Sequence, residues 1–426
     1  MALVDDVEAT LDAIDPADPV WIACLPRETV LERARELDAL PAAKQARLPL
    51  FGRTFGVKDN IDVAGIATTA ACPGFAYVPK RSATVVERLE AAGAIVVGKT
   101  NLDQFATGLV GTRSPYGTPV NPFDARYIPG GSSSGSAVAV ARGLVGFALG
   151  TDTAGSGRIP AGFTATIGLK PTPGLLSTRG VVPACRSLDC VSIFASSVDE
   201  AIEIADVAKG VDPDDPFSRT PGAPPSEIHE AFRFAIPRAD QRIFCGDAQA
   251  EAAFDRAIAR LIDCGGISVE VDMTECFSAG AMLYGDAYVA ERQAAVGDFA
   301  KEHPEALLDV TRAIIMEGKP YSAVDAFRAT YRMRELVRDA SRIFEGVDVL
   351  VVPTSPTIYT LDEIAAEPFT RNAMLGTYAS FVNFFRWCAV SIPSDVYANG
   401  VPIGITLIGP PWADDALAAF AARVTL

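Results

Sequence analysis

The chain has 426 residues, 49% hydrophobic and 21% charged, a balance that excludes disordered and fibrous classes and supplies a sizeable buried core. Asp and Glu number 53 against 37 Lys and Arg, and the resulting net charge of −16 repels phosphate backbones and anionic lipid surfaces, so no nucleic acid and no membrane is expected as a partner. The start, MALVDDVEATLDAIDPADP, lacks the basic and apolar regions of a secretory leader, and the longest apolar run, 137–150, is interrupted by Arg142 and shorter than the ~20 residues a bilayer demands.

In chain order, residues 1–45 read as an acidic helical arm, because DDVEATLDAI and ETVLERARELDALPAAKQAR place apolar residues at helical spacing; packing is its expected role. From Leu50 the texture changes. Short β-type runs such as FGVKDNIDV and AIVVG alternate with helical patterns such as SATVVERLEAAG, which predicts an α/β fold with a large, mainly parallel, buried sheet over 46–426. Residues 127–180 are rich in Gly, Ser and Thr, yet the apolar run at their centre and the flanking IGLK argue for folded structure in which small residues permit close backbone approach. Residues 210–225, GVDPDDPFSRTPGAPP, read as a loop or sub-domain boundary. Beyond them FRFAIPRA, ISVEVDM, VDVLVVPTSP and VPIGITLIGP read as strands, and DAQAEAAFDRAIARLIDCG and the 320s to 340s as helices. There is no internal repeat.

Eight cysteines without CxxC spacing suit free thiols in a reducing cytoplasm. Only two histidines occur, His229 in PPSEIHEAF and His303 in AKEHPEAL, both in polar segments that read as solvent-facing helix ends. Neither has a partner at ligand spacing, so no metal and no cofactor is expected, and the chemistry is expected to proceed without histidine.

Two nucleophile readings compete. Gly131–Gly135 matches G-x-S-x-G, which would make Ser133 the nucleophile of an α/β-hydrolase with His229 or His303 completing a triad. That pentapeptide is a weak signal in a Gly/Ser-rich segment. The other reading joins GVKDN, PGGSSSGS and TDTAGSGR. Lys58 follows a short apolar strand, and burial disfavours an ammonium and makes a neutral base available. A serine between that lysine and a nucleophilic serine can relay the proton, which needs no histidine. Local hydrogen bonding at a helix N-terminus is the preferred role for Ser133, Ser134 and Ser136, with support of the relay as a second role open to Ser133, and an ion pair near the loop is the preferred role for Asp152 and Arg158.

These residues resemble the amidase signature hydrolases: the lysine of GVKDN, the first serine of GGSS and the serine of GTDTAGS, with NPFD (121–124), GLKPT (168–172), VLVVPTSP and VPIGITLIGP in order after or between them. The resemblance implies a mixed sheet flanked by helices on both faces. It also implies Ser156 as nucleophile, Ser132 as a bridging serine after a cis peptide, Lys58 as base, and the N–H groups of Thr153, Ala154, Gly155 and Ser156 as the oxyanion hole. Small residues suit donors that must come within ~3 Å of the oxyanion.

Within that family, the stretches 105–116, 154–161 and 180–190 are similar to the allophanate (urea-1-carboxylate) hydrolases, whose extra C-terminal domain is expected to be absent here. The stretch YGDAYVAER resembles their substrate-recognition helix and implies that Tyr284 and Arg292 hold a carboxylate. On one helix eight residues would set them on the same face, ~12 Å apart, with a flat substrate between them. An Arg292 paired with Glu291 or Asp286 is the bland alternative. The segment SIPSDVY from Ser391 departs from relatives and leaves that wall open. The resemblance further implies a homodimer. Another amidase of the family, acting on biuret-type or aryl-acetamide substrates, a non-autonomous amidase component of a tRNA-dependent amidotransferase, and a silent binding protein are the rival readings.

Overall fold

Runs of apolar and β-branched residues form one sheet in the computed structural model, which describes residues 3–317 and 320–425. The strands among the described residues are β1 (Trp21–Cys24), β2 (Thr54–Lys58), β3 (Ile95–Thr100), β4 (Phe147–Asp152), β5 (Ile167–Lys170), β6 (Cys190–Ala195), β7 (Phe232–Pro237), β8 (Gly266–Val271), β9 (Val349–Pro353), β10 (Cys388–Val396) and β11 (Pro402–Gly409). They lie in the order β1-β3-β2-β4-β6-β5-β10-β11-β9-β7-β8. The sheet is mixed, as expected, but the expected parallel majority is not found. Only β2–β3, β2–β4, β7–β8 and β7–β9 run parallel. The ladders β1–β3, β4–β6, β5–β6, β5–β10, β10–β11 and β9–β11 are antiparallel, and of these only β10 and β11 are joined directly by a short hairpin connection.

Side chains alternate between the two faces along each strand. Phe55, Val57, Phe147, Leu149, Val191, Ile193, Val349 and Val351 enter one core with residues of the helices Val198–Ala208, Ala248–Asp263 and Asp414–Val424. Ile95, Val97, Ala148 and Phe194 point the other way, onto the helices Arg27–Asp38 and Ser134–Ala141. Leu350, Val352, Ala389 and Ile408 share that second face with Met282, Met333, Phe381 and Trp387. Helices therefore cover both faces, which is why β2, β3, β4 and β6 are buried along their whole length and read as apolar runs without alternation.

The N-terminal arm is not purely helical. Helices Leu3–Ala13 and Arg27–Asp38 flank the edge strand β1, paired antiparallel to β3, and Trp21 lies in the core with Val30 and Leu31. Residues 210–225 form an irregular connection between strands of the same sheet. No helix among the described residues is long and apolar enough to cross a membrane.

Candidate active site

The site forms where β2 and β4 end. These strands are parallel neighbours, with Phe55 opposite Phe147 and Val57 opposite Leu149, so Lys58 at the end of β2 emerges beside Thr151 and Asp152. The carboxyl ends of parallel strands are where α/β sheets commonly build ligand sites. The helix Ser134–Ala141 brings Ser132 and Ser133 over the same spot, and Gly150 permits this: a Cβ there would lie 2.8 Å from Ser133 Oγ.

Lys58 is fully buried, and three hydroxyls surround its Nζ: Ser132 Oγ at 2.8 Å, Ser133 Oγ at 2.9 Å and Thr151 Oγ1 at 2.8 Å. Burial lowers the ammonium from its ordinary 10.5 to about 7, against the opposing pull of the Asp103, Asp152 and Asp189 carboxylates. A neutral amine offers two N–H donors and one lone pair. Ser133 donates to the Thr151 carbonyl (3.1 Å), which casts it as an acceptor of the lysine, whereas Thr151 Oγ1 accepts from Asn60 Nδ2 (3.3 Å) and keeps its own proton. Ser132 and Thr151 are then the hydroxyls free to donate to the lone pair. Its peptide bond to Gly131 is cis.

Of the two places expected for Ser133, the structure shows the one beside the lysine. It stands at the N-cap of the helix Ser134–Ala141 yet makes no capping bond, and it braces Lys58 instead. Ser136 binds the Leu149 carbonyl (2.8 Å), whereas the buried Ser134 hydroxyl has no hydrogen-bond partner.

Ser156 lies in the turn after β4, and Asp152 shapes that turn. One carboxylate oxygen accepts from Gly155 N–H and Arg158 Nη2 (2.9 and 3.0 Å), the other from Gly157 N–H and Arg158 Nε (both 2.9 Å). This is the ion pair expected near the loop, in fork geometry and fully buried. Gly155 has φ +124°, and a Cβ there would approach Ala379 Cβ to 2.6 Å, so only glycine fits. The expected oxyanion set requires a correction. The Gly155 N–H is already donated to Asp152, leaving those of Thr153, Ala154 and Ser156 without an acceptor among the described residues.

Tyr284 and Arg292 are brought together differently from expectation. Asp286 adopts an extended conformation that ends the helix Thr274–Gly285, and the chain resumes through a 3-10 turn, Ala287–Val289, into the helix Ala290–Glu302. The break folds Arg292 back onto Tyr284, with its guanidinium carbon 4.6 Å from the ring centroid. A flat substrate does not fit between them. Arg292 is 2% exposed, and its Nε and Nη1 have no hydrogen-bond partner among the described residues. The alternative pairing is not found: Glu291 accepts from Ser187 Oγ (2.9 Å), and Asp286 accepts from Ala287 N–H. Burial opposes the guanidinium charge, but Cys185, Tyr284, Asp189 and Glu291 hold its pKa above the ordinary arginine range. An apolar cleft of about 430 Å³ runs from Tyr284 past Phe277 and Met374 to Gly376 and Ser380.

Both histidines stand apart from these groups. His303 caps the end of the helix Ala290–Glu302 with a half-exposed side chain, and His229 is exposed in an irregular segment rather than on a helix. Among the described residues, no group of His, Cys, Asp or Glu is arranged to hold a metal ion. Ser391 lies inside the sheet, in strand β10 between β5 and β11, 3.0 Å from Thr354 Oγ1. Sequence reasoning missed Thr151, Asn60, Asp189 and Asn383. Asn383 donates to the carbonyls of Asp152 (2.8 Å) and Leu188 (3.0 Å) from more than 190 residues away, a contact with no local sequence signal.

A family model described as Amidase matches residues 5–418. Urea amidolyase of Saccharomyces cerevisiae is 44% identical over 423 residues, which cover 98% of this chain and 23% of that protein. A glutamyl-tRNA(Gln) amidotransferase subunit of Symbiobacterium thermophilum is 36% identical over 452 residues, covering 97% of this chain and 91% of that one. Among solved structures, Kluyveromyces lactis allophanate hydrolase superposes with a TM-score of 0.94 at 43% identity, covering 99% of this chain and 69% of that chain. This chain thus spans less than a quarter of the length of the urea amidolyases it matches. By its motifs, its sheet and the match along nearly its whole length, the chain belongs to the amidase family.

Proposed function

We propose that the chain hydrolyses the terminal amide of allophanate, releasing ammonia and ultimately carbon dioxide, with Ser156 as nucleophile, Ser132 as relay and Lys58 as base. The observation that carries the substrate assignment is Arg292: a buried cation with two nitrogens, Nε and Nη1, that have no hydrogen-bond partner among the described residues, beside Tyr284, calls for an anionic ligand. The similarity to Kluyveromyces lactis allophanate hydrolase supports the same reading.

In this reading the substrate carboxylate meets the polar edges of Arg292 and Tyr284, side by side. Ser156 Oγ attacks the terminal carbonyl carbon as its proton passes to Ser132 Oγ and that of Ser132 to neutral Lys58. The N–H groups of Thr153, Ala154 and Ser156 face the oxyanion. Lys58 returns the proton through Ser132 to the leaving nitrogen, ammonia departs, and an acyl-enzyme ester remains on Ser156. Water, deprotonated by the same relay, cleaves that ester, and the resulting carboxylated carbamate loses carbon dioxide.

Ammonia release from the purified chain, offered allophanate, biuret, malonamate and a neutral amide in parallel, tests this reading. Preference for the carboxylated amides, lost in Arg292→Ala, is expected; equal rates on neutral amides refute the carboxylate clamp. A second reading, the amidase component of an amidotransferase, is favoured by the end-to-end match to the Symbiobacterium thermophilum protein, and turnover by the isolated chain tells against it. Eight free cysteines support a cytoplasmic compartment, and light scattering checks the homodimer implied by the family resemblance.

A further inference from the structure

Asp189 lies outside the groups assigned above, yet its carboxylate is buried against the nucleophile loop. Asp189 Oδ1 accepts from Thr153 Oγ1 (2.5 Å) and from Cys185 N–H (3.2 Å), and Oδ2 accepts from Ala184 N–H (2.9 Å). No lysine or arginine forms an ion pair with it among the described residues. Burial pushes its pKa up to about 6, partly offset by those hydrogen bonds. A charged acceptor kept at that expense and aimed at one loop hydroxyl needs a reason.

The reason lies in what Thr153 carries. Thr153 opens the segment whose N–H groups at 153, 154 and 156 have no acceptor, and Asp152 clamps only the far half of that segment, through Gly155 and Gly157. The near half is held by the strand before it, by the Asn383 and Cys190 hydrogen bonds to the Asp152 carbonyl and, on the Thr153 side chain, by the bond to Asp189. The same turn, 184–189, also reaches the other end of the site: Ser187 donates to Glu291, next to Arg292, and Asn383 ties the Leu188 carbonyl to that of Asp152.

We infer that Asp189 is a positioning residue that, through the Thr153 hydroxyl, aims the N–H groups of Thr153 and Ala154 at the substrate carbonyl. This rests on the proposed function for the identity of the loop as the oxyanion site. Asp189 touches no substrate atom, so its loss is felt in kcat and not in ligand affinity.

The test uses the full chain with Asp189→Asn, Thr153→Val, Thr153→Ser and the double variant Asp189→Asn/Thr153→Val. Ammonia release gives kcat and KM, and calorimetry gives the affinity for malonate. Thr153→Val removes the hydroxyl while keeping the Asp189 charge, so its effect is separate from any influence of that charge on Lys58. A positioning bond to a charged group is worth about ten- to a hundredfold in rate. Asp189→Asn and Thr153→Val are each expected to lower kcat by about that factor, with KM and malonate affinity within about threefold of wild type. Thr153→Ser is expected to retain most activity, and the double variant to be no worse than the poorer single one. Retention of more than half of kcat in Thr153→Val, additive losses in the double variant, or an equal loss in Thr153→Ser overturns the inference. The comparison is read on whichever amide of the panel the wild type hydrolyses. A wild type selective for neutral amides therefore refutes the allophanate reading and leaves this test in force, whereas an inactive wild type overturns both.

Discussion

Replacing Arg292 with Met separates stability from activity, because the two should move in opposite directions. Among the described residues, the Nε and Nη1 donors of Arg292 are buried and have no hydrogen-bond partner. Each such donor costs about 1–3 kcal/mol, while stacking on Tyr284 returns about 2 kcal/mol. Met keeps much of the stem's packing, so removing the charge should stabilise the chain by about 2 kcal/mol. With an unfolding entropy of about 2.1 cal/mol/K per residue over this length, that corresponds to a Tm rise of roughly 2 °C. Losing a buried guanidinium–carboxylate contact costs about 2–5 kcal/mol, so kcat/KM for malonamate should fall by roughly 30-fold to several thousandfold. A neutral amide should stay within about threefold. Scanning calorimetry and coupled ammonia assays read both quantities on the same preparation. Malonate should raise the Tm of the wild type and leave that of Arg292→Met unmoved. A Tm drop of several degrees would mean that the guanidinium is structural, and an equal loss on both amides would remove it from substrate recognition.

Ser156→Ala should abolish turnover and acyl-enzyme formation in mass spectra, and substantial residual activity would exclude it as nucleophile. With Lys58 lowered to about 7, the neutral base accumulates as pH rises, so kcat/KM should climb through pH 7 and level off above roughly 8. Linkage gives the same lysine a stability signature. Its folded value lies below the ordinary 10.5, so stability associated with it is present above 10.5 and lost as pH falls toward 7. The stability advantage of an inactive Lys58→Met over wild type should accordingly shrink between pH 7 and 10, and a constant gap would contradict the burial argument. Arg158→Met strands the buried Asp152 carboxylate and should cost about 3–5 kcal/mol, seen as a Tm lowered by several degrees. Replacing both His229 and His303 should leave turnover within about twofold; a large loss would revive a histidine-based mechanism.

Part of the site's layout was legible in the chain alone. The motifs GVKDN and GGSSSGS pointed to a lysine beside a serine, which Lys58 and Ser132 form, and the Asp152–Arg158 pair follows from a spacing short enough to close within one turn. Fully buried runs such as β2 and β9 were legible because burial on both faces erases alternation. The strand β1, hidden in a segment that reads as helix, was not: Trp21 owes its place to β3 and to the helix Arg27–Asp38, and its own neighbours in sequence carry no signal for either. The antiparallel half of the sheet was equally hidden, since strand direction depends on how a connection returns and not on the composition of the strand.

The hydrogen-bond pattern of the site, by contrast, came from the fold. Which of three hydroxyls around Lys58 can donate to it depends on the Thr151 carbonyl, which takes the Ser133 proton and arrives on a different segment. The single break at Asp286 turns an eight-residue spacing into a guanidinium stacked on a ring. Asp189 and Asn383 reach the loop after β4 from 36 and more than 200 residues further along the chain, respectively. Side-chain types and short spacings are properties of the chain, whereas burial, and with it the pKa of a lysine or the need of an arginine for an anion, exists only once distant segments have excluded water.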